Sequence, residues 1–211
     1  MSSESEAHID SEHPLEILLA TRNPGKIKEM NMLLADLPVH LRSVVEFGEI
    51  PPVIEDERSL QGNAIKKAQA LFDQTGLASL ADDTGLEVDA LGGRPGVHSA
   101  RYAGEDATDE ENRALLLKEL GDAENRTARF STVAAYIDAN SICLFEGTCE
   151  GSIRYSEAGA DGFGYDAVFD PVGHDLSFAE MSTEVKNGIS HRGKALAKFK
   201  AYMMERTTVQ K

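Results

Sequence analysis

The chain has 211 residues, with 36 acids against 21 lysines and arginines and a formal net charge of −15. That length suits one domain or two closely packed lobes, and it buries a real core without disulfide or metal staples. So acidic a chain argues against a nucleic-acid polymer as partner, because such binding rests on basic stripes, and no apolar stretch approaches the ~20 residues of a membrane span.

Met1 to Pro14 is polar, acidic and without an apolar signal core, so it reads as a disordered leader to a domain over 15–206, with 207–211 as a tail. Leu15 to Ala20 is a short apolar run and predicts a buried strand. Thr21-Arg22-Asn23-Pro24-Gly25-Lys26 follows. Asn23 suits an N-cap and Pro24 the first helical position, and Ile27, Met30, Leu33, Leu34 and Leu37 then mark a helical face. A helix that opens beside Arg22 and Lys26 attracts anions, phosphate above all. A capped helix with two surface cations fits the same residues. The GxxxxGK[ST] phosphate loop is absent.

Val39 to Val45 alternates like an edge strand, and Glu46 to Arg58 is an acidic loop. Ser59 can cap a helix to Thr75 that stops at Gly76, with Ala64, Ala68, Leu71 and Phe72 inward and Asn63 and Lys67 four apart on one side. The stretch from Ser79 to Ala103 begins as a strand. Asp82, Asp83, Thr84 and Gly85 predict a turn there, since adjacent carboxylates converge on a turn while a strand sends them to opposite faces. Two acids beside a glycine-rich loop suit a hard cation such as Mg²⁺, although a solvated Asp-Asp turn is as consistent with the residues.

Thr108 to Glu111 is a capping box for a helix to Leu120. Arg126 to Asp138 and Ser141 to Glu150 predict a hairpin. Cys143 and Cys149 stand six apart on its second strand, about 20 Å between α-carbons, whereas a disulfide needs ~7 Å or less. Reduced thiols and a cytoplasmic home are expected. Gly159 to Gly164 lets the aromatic of Phe163-Gly164-Tyr165-Asp166 lie against a ligand, or pack inward as part of a turn. A strand is predicted over Ala167 to Phe169, broken at Pro171. Lys186, His191 and Arg192 then cluster ahead of a helix capped by Ser190, with Ala195, Leu196, Phe199, Tyr202 and Met203 on its apolar face.

Four motifs stand in order: TRNPGK (21–26), ADDTGL (81–86) with SARY (99–102), FGYD (163–166) and SHR (190–192). Together they resemble the inosine/xanthosine triphosphate pyrophosphatase family of house-cleaning nucleotidases, from about Leu15 to Met203. The resemblance implies a mixed α/β fold, an elongated central sheet with flanking helices and two lobes about a deep cleft. It also implies a Mg²⁺-dependent homodimer that cleaves ITP, dITP and XTP to monophosphate and pyrophosphate. By position, Thr21, Arg22, Asn23, Pro24, Gly25 and Lys26 are expected to hold the triphosphate, with Asn63 and Arg101 nearby and Lys67 on phosphate. Asp83, with Asp82 beside it, would be catalytic. Thr84 would touch the nucleotide, and Phe163 to Asp166 with Lys186, His191 and Arg192 would enclose base and sugar. Asp83 and Glu55 are the implied metal ligands, with Asp56 and Glu57 as rivals because the family's glutamate motif is altered here. A Maf-type pyrophosphatase acting on dTTP or UTP and a nucleotide sensor without turnover are the alternatives.

Overall fold

The computed structural model describes residues 15–47 and 50–209, with side chains to Arg206. The leader read over 1–14 lies outside the described residues. β1 (Leu15–Leu19) leads to Asn23, whose side-chain oxygen accepts from the Lys26 N–H at 3.1 Å and starts α1 (Pro24–Leu33). β2 (Val39–Ser43) is an edge strand. α2 (Leu60–Thr75) is capped by Ser59 and ended by Gly76. β3 (Ala78–Val88) and β4 (Pro95–Gly96) precede α3 (Asp109–Leu120), whose capping box between Thr108 and Glu111 is complete. β5 (Thr127–Ile137) and β6 (Ile142–Ile153) form the long hairpin, followed by β7 (Phe169–Pro171), α4 (Thr183–Ile189) and α5 (His191–Val209).

The strands form one mixed sheet in the order β2-β1-β3-β5-β6-β7, with β4 paired to β3. β1 runs parallel to β2 and β3, through crossovers that contain α1 and α2, and the other pairings are antiparallel. The long strands β3, β5 and β6 are shared by two apolar cores. At one end Leu80, Ala134, Tyr136 and Phe145 pack on α1 and α5, where Ala195, Leu196, Phe199 and Met203 are fully buried. Burying each large side chain of this kind contributes about 1.5–3 kcal/mol. On the opposite face Ala81, Val133 and Ala135 pack on Ala64 and Ala68 of α2. At the other end Leu86, Val88, Phe130, Cys149 and Ile153 pack with Leu116, Phe169 and Phe178. Between the two ends the strands turn polar, at Asp82, Asp83, Thr84 and Thr132.

Several expectations need correction. Asp82 to Gly85 is not a turn: β3 continues through it in unbroken register with β5, from Ser79 opposite Ile137 to Val88 opposite Ala128. Gly85 is required there by close approach rather than by bending, since a Cβ would stand 2.7 Å from the Gly96 carbonyl oxygen. The strand after the aromatic loop is Phe169–Pro171 rather than Ala167 to Phe169: residues 166–168 form a 3-10 turn, and Pro171, expected just beyond the strand, is its last residue on an edge. α4 was not foreseen; Ser182 caps it by accepting from the Val185 N–H. α5 continues to Val209, three residues into the segment read as a tail.

Candidate active site

β1 stops at Leu19, and the Ala20 N–H donates to the Leu80 carbonyl at 2.8 Å. β4 does not meet β3 until Leu86. Between those points one edge of β3, Ala81 to Gly85, has no strand beside it among the described residues. A cavity of about 350 Å³ opens there, at the carboxyl ends of parallel strands where α/β sheets commonly take ligands. Its walls include Thr21, Arg22, Asn23, Lys26, Glu55, Lys67, Asp83, Thr84, Arg101, Phe163 to Asp166, His191 and Arg192. Of the two neighbouring carboxylates, which face opposite ways, Asp83 reaches the cavity and Asp82 lies behind its wall.

Asp83 points to the α2 side. Lys67 Nζ donates to it at 2.8 Å and lies 3.2 Å from Glu55, and Asn63 Nδ2 donates to it at 3.2 Å. Burial raises the Asp83 carboxyl above its usual range despite Lys67, and the neighbouring Glu55 charge raises it further. Glu55 is shifted the other way: burial works against its charge, but Lys67 outweighs that and holds it low. Lys67 is itself raised, because Asp83 and Glu55 overcome the burial of its ammonium. Of the three acids weighed for this position, Glu55 alone sits beside Lys67 and Asp83. Asp56 pairs with Lys66 on the surface, and Glu57 lies against Gly62, its N–H donating to Asn63 Oδ1.

Asp82 points to the other face. Its oxygens accept from Lys26 at 3.0 Å and from Arg192 Nε and Nη2, both at 3.0 Å. Burial opposes its charge, but Lys26 and Arg192 prevail and keep it well below the usual carboxylate range. Arg192 also donates to Glu29 at 2.6 Å and to Thr84 at 3.2 Å. Lys186 lies between Glu29 and Asp166, 2.7 Å from each. Three cations and three carboxylates thus neutralise one another across α1, β3, the aromatic loop, α4 and α5. Only Lys26, Asp166 and Arg192 of these six reach the cavity wall.

The expected site residues therefore divide. Asp82, Asn63 and Lys186 stand behind the wall and hold other groups in place. Arg192, read as a donor to a ligand, already makes four hydrogen bonds. Arg101 donates to the Glu55 carbonyl at 2.7 Å, and Arg22 donates to the Ile50 carbonyl. Pro24 lies outside the cavity, while Gly25 leaves room for Phe163, whose ring occupies the place a Cβ would take. Lys186 and Arg192 lie 5.0 and 5.5 Å from the centre of that ring. His191 stacks on Phe130 at 4.5 Å, and its Nδ1 has no hydrogen-bond partner among the described residues. Burial, with Arg192 and Lys186 close by, pushes its pKa well below the ordinary value, so the imidazole is neutral.

Glu29, Thr132, Asp109 and Arg113 were not foreseen. Glu29 carried a readable signal, a charge on the inward face of α1 next to Met30 and three residues after Lys26. Thr132, whose hydroxyl lies 2.6 Å from that of Thr84, resembles any strand threonine in sequence.

The donor set also fits a divalent cation. Asp83 and Glu55 are two carboxylates turned to one cation, the Lys67 ammonium, and Mg²⁺ is commonly held by one or two carboxylates with the remaining positions left to water and phosphate. No cluster of three or more His, Cys, Asp or Glu side chains suited to a metal exists among the described residues.

A model described as the Ham1 family matches residues 17–202. The chain is 48% identical over 186 residues to a dITP/XTP pyrophosphatase of Desulfotalea psychrophila, covering 88% of this chain and 83% of that one. It is 46% identical over 186 residues to a dITP/XTP pyrophosphatase of Syntrophobacter fumaroxidans, covering 88% and 80%. Among solved structures, a HAM1 protein from Coxiella burnetii superposes with a TM-score of 0.83 at 40% identity, over 90% of this chain and 99% of the other.

Proposed function

The chain belongs to the Ham1 family, and from that premise and the cleft we propose that it hydrolyses noncanonical purine nucleoside triphosphates, dITP, ITP and XTP, to the monophosphate and pyrophosphate. The observation that carries the reading is the pair of opposed clusters in one cavity: Lys67 with Asp83 and Glu55 on one wall, Lys26 and the N-terminus of α1 on the other. A triphosphate laid between them meets Lys67 on one side and, on the other, Lys26 with the positive end of the α1 dipole.

Asp83, rather than Asp82, orients the attacking water towards the α-phosphorus. Its carboxyl reaches the cavity and is raised by burial, which makes it the better proton acceptor. Lys67 offsets the charge that develops on the phosphate oxygens, and Lys26 holds the departing pyrophosphate. Asp83 and Glu55 would hold Mg²⁺, which when bound supplies further charge neutralisation on the triphosphate.

Base choice follows from donors. Neutral His191 can present Nδ1–H to the carbonyl at position 6 of hypoxanthine or xanthine, where adenine offers a clashing amino group. Leaving such a buried group unpaired costs about 1–3 kcal/mol. Phe163 supplies the stacking face. Thr84 and Tyr165 border the sugar.

The relatives' activity favours this reading over a Maf-type enzyme, and the carboxylate beside a lysine favours turnover over mere sensing. A cytoplasmic setting is supported by the two free cysteines on one strand, and among the described residues no helix is long and apolar enough to cross a membrane. A homodimer through the β5–β6 hairpin is supported by exposed Ile142 near its tip. The test is a Mg²⁺-dependent assay of dITP, ITP and XTP against the ordinary ribonucleotides, read as pyrophosphate. Equal rates on ATP and ITP contradict the proposal.

A further inference from the structure

The aromatic loop from Phe163 to Asp166 is gripped by α3 as well as by its own cavity-side bonds, and Asp109 of α3 is itself on the cavity wall. Gly164 takes a left-handed φ of 61°, which a side chain would strain. Its N–H donates to Asp109 Oδ2 at 2.7 Å, and its carbonyl accepts from Arg113 Nη1 at 2.8 Å. Asp109 and Arg113 are four apart on one face of α3. They therefore hold both polar groups of a single glycine.

The helix that carries them is firmly seated. Its first turn is locked by the capping box. Asn112, almost wholly buried, accepts from the Ala103 N–H at 2.8 Å and donates to the Ala100 carbonyl at 3.2 Å. Arg113 is steadied in turn by Glu157, 3.0 Å away. On the inner side, the Phe163 N–H donates to Asp166 at 2.9 Å and the Tyr165 hydroxyl donates to the Ser99 carbonyl at 2.8 Å. With these bonds and the two to Gly164, the loop that carries Phe163 is held by α3 and by Ser99 as well as by its own Asp166.

We propose that Asp109 and Arg113 are positioning residues for base selectivity. By clamping Gly164 they fix the height of the Phe163 face relative to His191, and so the distance at which a purine's 6- and 2-substituents are read. This rests on the reading that the loop from 163 to 166 holds the base. Neither residue carries a proton or a charge to the reacting phosphate, and a mere loss of stability would weaken every substrate alike.

The experiment uses the full chain. Asp109→Ala, Asp109→Asn, Arg113→Ala and Arg113→Lys are assayed with dITP and dGTP, beside thermal melting. Losing a charge-assisted bond should lower the dITP-to-dGTP ratio of kcat/KM by about tenfold in each alanine variant. Most of the change should lie in KM for dITP. Arg113→Lys, which can still donate to the carbonyl, should restore part of the ratio. A ratio within about twofold of wild type, or kcat/KM falling in step for both substrates, overturns the proposal. Asp109→Asn keeps an acceptor for the Gly164 N–H but loses the charge, so it should lower the ratio by about threefold; should the alanine variants fail to fold, an Asp109→Asn ratio equal to wild type overturns the proposal. A wild-type enzyme with no preference for dITP would overturn the proposed function first and this inference with it.

Discussion

Replacing Asp82 by Asn should unfold the enzyme more than it disarms it, the reverse of the same change at Asp83. The Asp82 side chain is 1% exposed and accepts from Lys26 and Arg192 at 3.0 Å. An amide fills the same space but, among the described residues, leaves Arg192 paired with Glu29 and Lys26 with no ion-pair partner. Stranding a buried charge in this way costs about 3–5 kcal/mol, a large share of the roughly 5–15 kcal/mol that holds a domain together. At about 2–4 °C per kcal/mol for a chain of this size, the melting temperature should fall by about 6–20 °C. Asp83→Asn is milder for the fold, because Lys67 keeps Glu55 at 3.2 Å. It removes the proposed proton acceptor, and pyrophosphate release should fall by about 10²–10⁴-fold. Calorimetry and a coupled pyrophosphate assay on both variants read the two effects separately. If Asp82→Asn melts within about 2 °C of wild type, the six-member cluster does not hold α1, β3, α4 and α5 to one another.

Glu55→Gln should raise the Mg²⁺ concentration needed for half-maximal rate by at least about tenfold, whereas Asp56→Asn should leave it alone; the activation curve decides between the two acids. Gly25→Ala places a methyl where the Phe163 ring lies, so KM for dITP should rise by about tenfold while the melting temperature changes little, since an aromatic end can shift. Glu29 is buried, a cost to its charge that Arg192 and Lys186 more than repay, so its folded pKa is depressed. Its stabilisation is therefore present above the ordinary carboxylate range and lost as pH falls through the depressed value. Between about pH 5 and pH 2 wild type should lose more stability than Glu29→Gln, which chemical denaturation across that range would show.

The elements with strong local punctuation were legible before any coordinates. Asn23-Pro24, Ser59 with Gly76, and Thr108 with Glu111 each bring their own capping bonds, and those depend on near neighbours alone. The DDTG segment misled because Asp and Gly are turn residues by local preference. Here long pairing with β5 overrides that preference, and the unpaired stretch of the other edge, among the described residues, gives Asp83 its opening. Nothing within the segment carries that information. The sequence did bring Lys67, Asp83, Lys26 and the aromatic loop to one cavity through their motifs. It could not show which of them face the ligand and which stand behind, because that depends on pairings such as Asp82 with Arg192, 110 positions apart. The unforeseen α4 is only seven residues long, too short for a periodic signal.

The central claim is that water, oriented by Asp83 in this cleft, attacks the α-phosphorus. Single-turnover hydrolysis of dITP in heavy-oxygen water, with both products analysed by mass, tests it directly. The account predicts the heavy oxygen in dIMP and none in pyrophosphate. Label in the pyrophosphate, or release of inorganic phosphate in its place, would contradict it.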